Sequence, residues 1–299
     1  MARIFIISIL SSAVLVLTNI QEIVMIMLLI RTKSHQLLLI FLFFILLVPM
    51  SNALESSKAN VLFAKGLSVS IGLEYESGDY GTTDTTDTWR IPFGMHYRTE
   101  QFFAGLNVPY INTKSSGNII ISSGTSRKKV TTSSSTSSKE SGIGDLEFYA
   151  GYIFPAKTGS MANYNVTARV KLATAGENKG LGTGENDYAI EIGFLNYLYK
   201  SSVFGSIGYQ LNGDTVKANY DDIFYANAGI SFPLQSGNKV GAMLDYSQAA
   251  SSGFDDALGL TGFINLALTN KRSLYIYAMQ GLSDGSADYA LGANFRFGF

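Results

Sequence analysis

From residue 66 onward the sequence alternates. Leu67, Val69, Ile71, Leu73 and Tyr75 occupy every second position, with Ser68, Ser70, Gly72, Glu74 and Glu76 between them. Successive side chains of an extended strand point to opposite faces, so this stretch offers one oily face and one polar face. The same pattern recurs with oily faces formed by Trp89 to Tyr97, Phe102 to Tyr110, Leu146 to Phe154, Tyr164 to Leu172, Tyr188 to Phe194 and Val203 to Leu211. Five more segments follow: Phe224 to Phe232, Val240 to Tyr246, Leu258 to Leu266, Leu274 to Ala278 and Tyr289 to Phe299. Twelve strands are expected. In the eleventh the face is ambiguous, because Tyr275, Tyr277 and Met279 make its second side apolar as well.

The oily face carries no Asp, Glu, Lys or Arg in any of the twelve segments. A Lys or Arg at the midplane of a bilayer costs about 2–4 kcal/mol, so this exclusion is what a lipid-facing wall requires. A soluble sandwich also alternates, and the distinction rests on three further features. Connections alternate in length, with short ones at 98–100, 155–160, 200–202, 235–238 and 270–272. Longer ones lie at 79–87, 112–141, 176–186, 212–221 and 249–255, and a tight one at 284–286. Aromatic residues crowd the strand ends, with Tyr97, Phe154, Tyr164, Phe232 and Phe299 on the short-turn rim and Trp89, Tyr110, Tyr188, Tyr209, Tyr246 and Tyr289 on the other. Amphipathic rings suit the two headgroup layers. The third feature is an export signal. Leu37 to Val48 is an apolar run preceded by Arg31 and Lys33 and followed by Ser51-Asn52-Ala53, which suits cleavage after Ala53.

The expected organisation is therefore a signal peptide over 1–53, a short segment over 54–65 able to fold inward as a small plug, and an all-β, up-and-down antiparallel transmembrane barrel over 66–299. Residues 1–26 lengthen the leader beyond the usual, and Met25 or Met27 offers an alternative start. A competing reading makes residues 4–30 an inner-membrane anchor.

Composition removes other classes. With no cysteine there is no disulfide framework, thiolate metal site or cysteine nucleophile. A net charge of −1 gives no basic footprint for nucleic acid. After residue 53 the single histidine is His96, at the short-turn end of the second strand, where a satisfied interior histidine is expected and no barrel hydrolase. Gly176 to Gly184 lacks the lysine-containing ending of a phosphate loop and reads as a flexible barrel loop. Asp79, Asp84, Asp87 and the pairs Asp221-Asp222 and Asp255-Asp256 match no calcium-loop spacing. No enzyme, cofactor or metal is expected.

Two stretches resemble known families. The terminal YALGANFRFGF alternates up to Phe299 and is similar to the closing strand of Gram-negative outer-membrane proteins, which implies recognition by the barrel assembly machinery. Ser141-Gly142-Ile143-Gly144-Asp145-Leu146, with Tyr149 and Tyr152, resembles the strand opening of the outer-membrane transporters named for the meta-cleavage pathway of phenol degradation. Gly180-Leu181-Gly182-Thr183-Gly184 with Asp187-Tyr188 is similar to that family's glycine-rich loop, whereas Ala173 stands where a family proline is expected. The resemblance implies an uptake barrel for small, apolar or aromatic solutes.

Candidate functional residues fall on the polar face: Glu74, Asp145, Glu147, Arg169, Lys171, Asp187, Glu191, Asp245 and Arg296. Eight strands give a filled barrel and sixteen an aqueous channel, so twelve leaves both a conduit and a packed interior open. The charges either pair across the interior and brace it or set selectivity. In loop 112–141, 16 of 30 residues are Ser or Thr, and Ile119 to Ile121 and Val130 to Thr132 form a candidate hairpin. Its Arg127, Lys128 and Lys129 are candidate contacts for lipopolysaccharide phosphates among the surrounding outer-membrane lipids. The expected function is a passive outer-membrane channel for a small-molecule solute; the alternative is a structural or adhesive barrel with a packed lumen acting through that loop.

Overall fold

A computed structural model describes Lys65–Phe299 apart from 116–118, 124–125, 131–137, 155–161, 176–178 and 215–218. The expected signal peptide, and the plug segment up to residue 64, lie outside the described residues.

Twelve long strands close into one antiparallel barrel. In chain order its staves begin with β1 (Gly66–Gly78), β2 (Thr86–Arg98) and β3 (Phe102–Ser115). A small hairpin of β4 (Ile119–Ser123) and β5 (Ser126–Val130) follows, and then β6 (Ser138–Ile143) and β7 (Leu146–Phe154). The remainder are β8 (Ala162–Leu172), β9 (Asp187–Leu198), β10 (Ser201–Leu211), β11 (Ile223–Pro233), β12 (Lys239–Ser247), β13 (Ala257–Thr269), β14 (Arg272–Gly281) and β15 (Tyr289–Gly298). Every stave pairs with its sequence neighbours, and β15 returns to β1 along Ser68↔Gly298 to Ser77↔Tyr289, which leaves no free edge. Closure satisfies the backbone groups that lipid cannot.

The alternation read from the sequence holds in all twelve staves. Ile71, Phe93, Ile190, Ile192, Ile207, Phe224 and Leu244 stand exposed on the outer wall, and Tyr97, Phe154, Tyr164, Trp89, Tyr110 and Tyr188 mark its rims. In β14 the ambiguity resolves: Ile276 faces out, whereas Tyr275, Tyr277 and Met279 line an interior volume.

Two readings change. Loop 112–141 starts and ends as strand, because Tyr110–Ser115 pair with Ser138–Ile143 and carry the barrel wall upward. Thus β6 and β7 form one stave, interrupted at Gly144-Asp145. Its neighbour at the interruption is Pro109, which has no N–H to give, and Gly144 N–H donates to the Pro109 carbonyl at 2.8 Å. The loop hairpin forms, but in the register Ile119↔Val130 to Ser123↔Ser126, so Arg127, Lys128 and Lys129 belong to its second strand. The pairing of Ser123 with Ser126 sets the register two positions tighter than the isoleucine and valine runs suggested.

At the short-turn end, Tyr199 adopts a positive φ of 53° and lets β9 turn into β10 across two residues. At the loop end the connections pack over the staves. Tyr80, also at φ 53°, is buried with Ala287 and packs against Phe254 and Met279. Asp222 and Asp256, among the carboxylates weighed for calcium, accept bonds from neighbouring loops, from Asn212 N at 3.0 Å and Ala249 N at 2.9 Å respectively. Among the described residues no group of three or more His, Asp or Glu is placed to hold a metal.

Candidate functional site

The polar face becomes the lumen, and nine of its charges form three clusters, each a cation held by two carboxylates. Arg90 of β2 stands opposite Glu74 of β1, with Nη1 at 3.8 Å from Glu74 and Nη2 at 3.2 Å from Glu76. Arg169 of β8 reaches Glu147 on one neighbouring stave at 3.2 Å and Glu191 on the other at 3.9 Å. Lys171, two residues further along the same face, lies 2.8 Å from Asp187 and 3.2 Å from Asp145. All three cations sit between carboxylates on flanking staves or positions, because alternation places every second residue of each stave inside and registers bring them level. Asp245 accepts from Thr261 Oγ1 at 3.0 Å, and Arg296 lines a cavity together with Glu74, Glu147 and Lys171. Arg90 is the member the sequence reading passed over. The signal was available: Trp89 and Ile91 face outward, which forces Arg90 inward.

Lys171, Asp145 and Asp187 are the most buried of these groups, with side-chain exposures of 8%, 6% and 4%. Here the two resembling motifs meet. The Asp145 carboxylate also accepts from the backbone N–H groups of Thr174 at 3.1 Å and Ala175 at 2.9 Å. Thr183, in the glycine-rich stretch, accepts from Lys171 Nζ at 3.2 Å. A side chain on Gly182 would collide with Ala175 and the Asp145 carboxylate, and one on Gly144 with Ile111 and Pro109. The expected flexible loop is, over 180–184, folded against the wall, with Leu181 3% and Thr183 2% exposed. Ala173 in place of proline keeps an N–H that donates to Asn186 at 2.9 Å. Proline would forfeit that bond.

Members of all three clusters, Glu74, Arg90, Asp145, Glu147 and Lys171, line a cavity of about 610 Å³ whose wall also includes Ser70, Asn107, Tyr149, Tyr275, Asn294 and Arg296. A second volume of about 350 Å³ shares Glu74, Arg90 and Tyr275 with it. A third of about 210 Å³ shares Ser273 and Arg296 and reaches Lys271 and Phe299 at the short-turn end. Six interior aromatics share one device, each standing over a glycine directly opposite it on the next stave, and three of them, Tyr149, Tyr225 and Tyr277, line these volumes. The pairs are Phe103 with Gly151, Tyr149 with Gly105, Phe204 with Gly229, Tyr225 with Gly208, Phe263 with Gly241 and Tyr277 with Gly292. No Cβ fits beneath any of the six rings. His96 Nδ1 bonds the Tyr149 hydroxyl at 3.1 Å, with ring centroids 6.0 Å apart, and so takes the interior place expected of it.

No protein-family model matches the sequence, and no curated protein matches it. The COG4313 outer membrane channel from Pseudomonas putida F1 superposes with a TM-score of 0.59 at 13% identity, over 83% of this chain and 100% of that one. The fold is that of an outer-membrane β-barrel. The CymD monoaromatic hydrocarbon channel aligns at 10% identity over 82% of this chain and 91% of its own, with a TM-score of 0.46. The KdgM porin aligns at 10% identity over 77% and 99%, with a TM-score of 0.47. The barrel fold of this chain is thus shared with the Pseudomonas putida channel. The side chains of Arg127, Lys128 and Lys129 are not among those described.

Proposed function

We propose that this chain is an outer-membrane channel that lets small, apolar or aromatic solutes pass down their gradient without covalent chemistry. The observation that carries this reading is the set of three lumen volumes that share lining residues, with interior aromatic rings held over glycines. A packed barrel would turn those rings inward. The rings give an apolar solute weak, non-directional contact, and the three clusters fix the wall around it. The resemblance of the Gly144-Asp145 and Gly180–Gly184 stretches to uptake barrels supports the same solute class. In this reading the short turns face the periplasm, residues 1–53 direct export, the strand ending at Phe299 is presented to the assembly machinery, and Arg127 to Lys129 meet lipopolysaccharide phosphates.

Swelling of proteoliposomes in neutral solutes of graded size tests it. Refolded protein should give solute-dependent swelling with a steep size cutoff. A heat-modifiable, folded barrel that admits none of them would contradict the channel and return the function to loop 112–141.

A further inference from the structure

The lumen charges are segregated along the barrel axis as well as paired. Every interior carboxylate of the staves lies in the loop-end half: Glu74 and Glu76 late in β1, Glu140 in β6, Glu147 at the start of β7, Asp187 and Glu191 early in β9, Asp245 late in β12. Asp145 sits at the same level, just before β7. The cations there, Arg90, Arg169 and Lys171, are outnumbered, since each is bound by two carboxylates. At the short-turn end the sign reverses. Arg98 closes β2, Lys239 opens β12 and Arg296 stands near the end of β15, all at interior-facing positions, and Lys65 and Lys271 line the mouth beside Arg296. Among the described residues the carboxylates near that mouth are Glu100, which pairs with Lys65, and the chain terminus on Phe299.

The oily band of such a barrel is about 25 Å tall, so each half is about as long as the Debye length of roughly 10 Å at 0.1 M salt. The two belts therefore do not cancel for an ion inside. A cation is drawn into the loop half and repelled from the turn half, an anion the reverse, and either sign meets a barrier. An uncharged solute meets neither. We propose that the lumen is a two-belt ion filter that passes uncharged solutes while opposing and rectifying ion flow. This rests on the channel reading above and narrows its substrates to uncharged molecules.

The belts make the current direction-dependent. With the loop side positive, cations enter through the acidic half and anions through the basic half, and both accumulate where the belts meet. With the loop side negative that junction is depleted. Single channels of the refolded protein in 0.1 M KCl should pass at least about twofold more current with the loop side positive, approaching symmetry in 1 M KCl, where screening is about 3 Å. The double variant Arg98→Gln/Lys239→Gln should at least halve the asymmetry yet leave swelling in a neutral solute intact; Lys239→Gln alone serves as the milder change. Symmetric currents at 0.1 M, or asymmetry unchanged in both variants, overturn the filter and leave the channel standing. Absence of both current and swelling overturns the two together.

Discussion

Tyr149 stands directly across the β3–β7 ladder from Gly105, and its ring occupies the space that a side chain on Gly105 would take. Its hydroxyl bonds His96, and the Arg169 guanidinium lies 5.5 Å from its ring centre, so a glycine fixes the position of an aromatic inside the lumen. Gly105→Ala should swing this ring inward and lower the unit conductance while the barrel still folds. Gly105→Ala/Tyr149→Ala should restore it. An unchanged conductance in the single variant would show that the ring does not bound the path.

Lys171 neutralises two carboxylates that have almost no exposure of their own. Lys171→Met leaves both charges buried without their cation, at a cost of about 3–5 kcal/mol. The midpoint of urea unfolding in detergent should fall accordingly, and adding Asp145→Asn and Asp187→Asn should recover most of it. A loss below about 1 kcal/mol would mean that water reaches this cluster.

Ile207 is 64% exposed midway along β10, whereas Tyr199 is 94% exposed in a two-residue turn. Arginine at the first position sits in lipid, and at the second it sits in water. Ile207→Arg should destabilise the barrel in bilayers by about 2–4 kcal/mol and Tyr199→Arg by little. Equal effects would argue against the assigned wall.

Asp288 lies in the connection before β15, where burial and then the neighbouring Asp79 raise its carboxyl above the ordinary value. With a raised folded value the native state holds its proton longer than the unfolded chain. Stability therefore falls as pH rises through the window between the ordinary and the folded value, and the penalty is absent below that window. Asp288→Asn should raise the unfolding midpoint slightly at pH 7 and leave it unchanged near pH 3. The same gain at both pH values would locate the effect elsewhere.

All twelve staves were legible because a wall between lipid and lumen imposes period two on nearly every residue of each strand. The β14 ambiguity came from the same rule applied to a lumen that accepts aromatics, as Tyr275 and Tyr277 do. Seven of the nine candidate lumen residues join the three ion clusters, and Arg90 could have been added by parity alone. What parity does not carry is long-range register. Nothing local in the sequence says that Asp145 and the Gly180–Gly184 stretch would close on Lys171, or that six of the interior rings would face a glycine. Those relationships depend on which residue of one stave stands level with which of the next. Pro109 likewise breaks the fourth stave across a ladder, at Gly144-Asp145, rather than within its own strand.

The chain has no cysteine, which permits a direct measurement of the wall. Single cysteines at Ser70, Asn107 and Asn294 would face the cavity, and at the adjacent Ile71, Leu106 and Ala293 they would face lipid. In proteoliposomes, a charged, water-soluble thiol reagent should label the first three and spare the second, with a lipid-soluble reagent giving the opposite order. Equal labelling of neighbouring positions, or no labelling of the cavity set, would contradict a barrel whose lumen is open to water.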